Sequence, residues 1–130
     1  MEQEQKYETT AEHFEAFKAE ARRFIDMFGL WDWRVDFEHS YQEDSFAVCE
    51  HNTTSGKIAT LILSTDWSGT EPTLESLRQS AFHEVCHILL ADTYDAACCL
   101  DLSPMQRHLH IDRAHHAIIR RLENVVLPRL

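Results

Sequence analysis

The pattern of apolar residues predicts an α+β fold: an N-terminal helix, a small, mainly antiparallel three-stranded sheet, a second helix and a C-terminal helix. Three observations carry this. Phe14, Phe17, Ala21, Phe24, Ile25 and Phe28 recur at helical spacing on one stripe. Between residues 33 and 64, apolar residues alternate with polar ones or run together in short stretches bounded by turn residues. From Leu74 onward helical spacing returns and holds nearly to the end. At 130 residues the chain is expected to form one domain over 9–130 around a single core, with residues 1–8 as a flexible polar lead.

The elements follow in order. Thr9-Thr10-Ala11-Glu12 matches a capping box, in which a Thr side chain and a Glu three residues on satisfy each other's free backbone N–H groups. Gly29 suits the left-handed stop after that helix. Trp33, Val35 and Phe37 alternate with Arg34, Asp36 and Glu38, the signature of a half-buried strand. A second strand is expected over 45–51, joined through the turn Asn52-Thr53-Thr54-Ser55-Gly56 to a third over 57–64. Ile58, Ala59, Leu61, Ile62 and Leu63 make that third strand nearly continuous in apolar character, so it is expected to be covered on both faces. Pro72 is placed in the first turn of a helix that runs to about Asp92, while 95–102 reads as helix extension or loop. Ser103-Pro104-Met105-Gln106 starts the last helix, with Ser as cap and Pro at the first position, and Pro128 ends it near Leu127.

The formal net charge of −10 disfavours nonspecific binding to nucleic acid, which needs Lys and Arg to neutralise phosphates, so no nucleic-acid partner is expected. No apolar run is long enough for a membrane span, and residues 1–7 are polar and acidic rather than a secretory leader. The expectation is therefore a cytoplasmic protein with no membrane partner. Cys49, Cys86, Cys98 and Cys99 form no Cys-x-x-Cys pair, which argues against a zinc ribbon and for free thiols.

His83-Glu84-Val85-Cys86-His87 spells His-Glu-x-x-His within the second helical stretch. Residues four apart share one helix face, so both imidazoles can converge on one ion, and the Glu can take a proton from a water there. With 9 His in the chain, random placement yields only about 0.06 expected matches. A catalytic zinc takes three protein ligands and leaves a fourth position open. His108, His110, Asp112, His115, His116 and Glu123 on the last helix are the sources for the third. His115 falls amid Ile111, Ile118, Ile119, Leu122, Val125 and Val126 on a helical wheel, and a polar group there needs a partner. It is therefore the expected third metal ligand beside His83 and His87, with His116 next and Glu123 or Asp112 after it. His13, His39 and His51 read as surface or hairpin residues. An oxyanion donor is also required, and Tyr94, two turns beyond His87, is a candidate that packing alone could equally explain.

Leu30-Trp31-Asp32-Trp33-Arg34-Val35, Ala59-Thr60-Leu61-Ile62-Leu63 and His83-Glu84-Val85-Cys86-His87-Ile88-Leu89-Leu90 together resemble minimal zincin metallopeptidases. The likeness is to the small phage and prophage metallopeptidases, similar in design to the SprT-like and ImmA/IrrE-like groups, and covers about residues 10–126 in element order. It implies a zincin-like fold and a zinc-dependent metallopeptidase in which Glu84 activates water between His83 and His87. It also implies a peptide or protein substrate bound by strand addition along 57–64, inside a bacterial host cell if the chain is phage-encoded. Relatives of this design take a Glu or His from the following helix, and this chain has His115-His116 where a Glu is usual. There is no cysteine-rich second zinc module, and no His-x-x-Gly-x-x-His extension follows His87. The alternative is a non-catalytic zinc-binding interaction protein that keeps the zincin shell.

Overall fold

The computed structural model describes residues 5–53 and 56–130. Helix α1 (Ala11–Met27) is followed by β1 (Arg34–His39), β2 (Ala47–Asn52) and β3 (Ile58–Leu63), then by helices α2 (Leu74–Leu89), α3 (Ala91–Cys98) and α4 (Pro104–Arg121). The α+β class is as the sequence predicts. Leu122–Val126 forms a π-helical turn and Leu127–Arg129 a short 3₁₀ turn, so the last helix loosens before its expected end. The expected turn at 52–56 includes Thr54 and Ser55, which lie outside the described residues, as do residues 1–4 of the expected lead.

The sheet departs from the mainly antiparallel expectation. Its order is β1-β3-β2, with β1 parallel to β3 and β2 antiparallel to it. Arg34 pairs with Ile58 and His39 with Leu63 on one side, while Asn52 pairs with Ile58 and Ala47 with Leu63 on the other. The reason is visible in the composition of β3: its run of apolar residues is suited to the centre, where both backbone edges are bonded and both faces covered. Ala59, Leu61, Ile62 and Leu63 are all buried. As the central strand, β3 has no free edge, which corrects the expectation that a peptide adds along 57–64.

The chain before α1 is tied down over residues 5–9. Trp67 and Gly69 donate their backbone N–H groups to the carbonyls of Tyr7 (2.9 Å) and Gln5 (2.7 Å), and Thr9 donates to Thr65 (3.0 Å). Thr9 is buried, and its hydroxyl donates to the Ser64 carbonyl at 2.7 Å. That contact displaces the helix cap by one residue from the expected box. Thr10 is the N-cap, its hydroxyl accepting from the His13 N–H at 3.3 Å while His13 Nδ1 accepts from the Thr10 N–H at 2.9 Å. Pro72 likewise stands just before the cap residue Thr73 rather than inside α2.

Helices α1 and α2 pack on the sheet through Phe17, Ala21 and Phe24 of α1 and Leu77, Ala81, Val85 and Ile88 of α2, together with Trp67, Leu61 and Leu63. The α2 residues recur every three or four positions, so one face is fixed in the core. Full burial of a side chain such as Phe17 contributes about 1.5–3 kcal/mol. Ser64, at the end of β3, is wholly buried and organises the crossing from β1 to β2. Its N–H donates to Phe46 (2.8 Å), and its hydroxyl accepts from the N–H groups of Gln42 (3.1 Å) and Asp66 (3.2 Å). These bonds seat the start of β2 beside α2. No helix among the described residues is long and apolar enough to cross a membrane.

Candidate metal centre

With Leu77, Ala81, Val85 and Ile88 turned into the core, helical geometry carries His83 and His87 to the face that looks across to β2. Their Nε2 atoms are 3.2 Å apart, and the rings stand nearly perpendicular at 77°. Two imidazole nitrogens bound at 2.0–2.1 Å to one tetrahedral ion would be about 3.3 Å apart. Glu84 joins them: ligand atoms of His83, Glu84 and His87 all lie within 4.8 Å of one another.

Glu84 is 5 % exposed, and its Oε2 is buried with no hydrogen-bond partner among the described residues. Burial raises its pKa above the ordinary carboxylate value, and the nearby His83 offsets this only in part. Burial lowers the pKa of His87, with the neighbouring His83 and His51 acting in the same direction. A pair of nitrogens at ligand separation beside an unsatisfied buried carboxylate is a donor set suited to a zinc ion, and the residues fit that group. Cys49 of β2 faces Glu84. Burial, then Glu84 and Glu50, push its thiol up to about 12, so it stays protonated and is no nucleophile.

These residues form one wall of an open cavity of about 850 Å³, which is also lined by Ala47, Cys49 and His51 of β2, by Thr93 and Tyr94 of α3, and by His115 of α4. Of the six expected sources of a third ligand on the last helix, only His115 lines this cavity. It stands outside the cluster of His83, Glu84 and His87. It is also exposed rather than set in an apolar face, because Ala114 takes the buried position on α4 while Ile119 is 49 % exposed. His116 donates from Nδ1 to the Asp112 carbonyl at 2.8 Å and lies 3.6 Å from the Asp112 carboxylate, which occupies both residues elsewhere. Glu123 is exposed on the π-helical turn. His110 lines a second cavity with Asp95, Cys98 and Cys99.

His51, expected at the surface of the hairpin, is instead part of the main cavity. The signal for it was the alternation Ala47, Cys49, His51, which puts these three side chains on one face of β2. His13 caps α1, and His39 packs flat on Phe14 with ring centroids 5.0 Å apart.

Set against family models, curated proteins and solved structures, the chain matches none.

Proposed function

We propose that this chain is a zinc-dependent metallopeptidase of zincin-like design. The observation that carries the reading is the wall of the cavity: two histidine nitrogens 3.2 Å apart beside a buried carboxylate whose Oε2 has no partner among the described residues. His83 and His87 would hold the zinc, with His115 as the candidate third ligand on the cavity's rim. When bound, zinc would supply Lewis acidity, polarising a carbonyl and making water far more acidic than in bulk.

The chain's own residues do the rest. Glu84, held against β2 with its pKa raised, takes a proton from water and returns it to the departing amine. The substrate is a peptide in extended form. β2 pairs with β3 on one edge only, and its inner face lines the cavity, so main-chain bonds along its other edge would lay a peptide past Glu84.

The test is zinc content by elemental mass spectrometry together with peptide hydrolysis. Wild type and Glu84→Gln should each carry one zinc per chain, and the His83→Ala/His87→Ala double variant none. Hydrolysis should fall about 10²–10⁴-fold in Glu84→Gln. Absence of stoichiometric zinc would overturn the reading, and zinc with hydrolysis unaffected by Glu84→Gln would leave a non-catalytic zinc-binding protein.

A further inference from the structure

Water attack on an amide puts negative charge on the carbonyl oxygen, and Glu84 is the wrong group to meet it, being the base. We infer that His51 is the residue that stabilises this oxygen, held for the task by Asp95. This rests on the peptidase reading above.

Four observations place it. His51 lines the same cavity as His83, Glu84 and His87, from the opposing strand β2. Its side chain is only 15 % exposed, and Nδ1 is buried with no hydrogen bond among the described residues, facing the Asp95 carboxylate at 3.9 Å. The other carboxylate oxygen of Asp95 accepts a hydrogen bond from the Thr53 hydroxyl, which ties that carboxylate to the end of β2. The ring of Tyr94 meets His51 edge-on, with centroids 5.8 Å apart and planes at 90°. With both ring nitrogens protonated, Nδ1–H faces the Asp95 carboxylate and Nε2–H is the donor left open to a substrate.

His51 also lies outside the group of atoms within 4.8 Å formed by His83, Glu84 and His87. His115 shares that position, but the His51 ring is the one whose Nδ1 faces a carboxylate, that of Asp95. In the step itself, a water oxygen bonds to the carbonyl carbon, one of its protons passes to Glu84, and the C=O π pair moves to the carbonyl oxygen. His51 donates a hydrogen bond to that oxygen. The oxyanion pair then re-forms C=O as the C–N bond breaks, the C–N electron pair goes to nitrogen, and nitrogen takes the proton from Glu84, giving a carboxylic acid and an amine; the acid proton passes to the amine, leaving a carboxylate and an ammonium group. Tyr94, 61 % exposed, acts as a wall for the His51 ring. Asp95 is a positioning residue, acting through His51.

The test uses a mixed library of internally quenched peptides as probe, with zinc content measured on the same samples. His51→Ala should keep one zinc per chain and lose about 10²–10³-fold in kcat with little change in KM. His51→Gln, which retains an N–H donor and guards against misfolding of the alanine variant, should recover part of that loss. Asp95→Asn should lower kcat less than His51→Ala does. Loss of zinc in His51→Gln would make His51 a ligand and overturn the proposal. So would an unchanged kcat in both His51 variants, or a rise in KM alone. If wild type hydrolyses no faster than Glu84→Gln, the peptidase reading itself fails, and this proposal falls with it.

Discussion

Single residues differ in how plainly the sequence announces them. His83, Glu84 and His87 are legible because their spacing is a local property of a helix, and the helix is fixed by its own apolar stripe. His51 is not, because whether a strand residue faces a cavity depends on which helix covers that face. His115 is half legible. The wheel puts it on the inner side of α4, but the approach of the helix is set by Ala114, so the imidazole comes to the cavity's edge. Gly29 is a plainer case. Its φ is +64°, and a Cβ there would stand 2.9 Å from Val125 Cγ2. Gly29→Ala should cost at least about 1–2 kcal/mol from the left-handed backbone alone, measured by urea denaturation. His39 gives a pH dependence. Its Nε2 lies 2.7 Å from the Thr9 hydroxyl, which itself donates to Ser64, and burial followed by the nearby His13 lowers its pKa below the ordinary 6.5. The folded chain therefore binds a proton there less readily than the unfolded chain. Stability from the neutral ring is complete above the unfolded value and is lost as pH falls through it toward the lower folded value. His39→Gln should flatten the loss between about pH 8 and about pH 5, and an equal slope in both proteins would refute the assignment.

Elements were easier to read than their ends. All three strands and the helices α1, α2 and α4 stand where periodicity puts them, and α3 fills the ambiguous stretch after α2. The cap of α1 moved by one residue because Thr9 is drawn to a tertiary partner, Ser64, some 55 positions away, which no local pattern encodes. The parallel pairing of β1 was hidden for a similar reason. A hairpin turn announces antiparallel neighbours, whereas a strand inserted between two others leaves no local mark. The contact between α1 and α2 holds the motif helix in place, and Phe17 of α1 lies in the core they share with no exposure at all. Phe17→Ala should cost about 3–5 kcal/mol. The same substitution should loosen α2 enough to weaken the zinc binding proposed for His83 and His87, and calorimetric melting with a zinc titration would read both effects together.

Across the whole molecule, the last helix is fastened to the far end of the sheet. Arg121 bonds to the Gly29 carbonyl and approaches Asp32, while Lys57 at the start of β3 meets Asp32 at 2.6 Å. The same Lys57 lies 3.9 Å from Asp92 of α3, so helix and sheet share one small charge cluster at the end of the core opposite Ser64. The strand order has a temporal meaning as well. β2 and β3 are close neighbours in sequence and can pair early, but Arg34 must find Ile58 across the whole intervening chain. Val48→Ala should therefore slow folding, with φ about 0.5–0.8, whereas Val35→Ala should mainly hasten unfolding, with φ about 0–0.3. Until β1 docks, the most apolar strand of the protein stands with one ladder open. In that interval another chain can pair where β1 belongs, so refolding yield should drop as protein concentration rises.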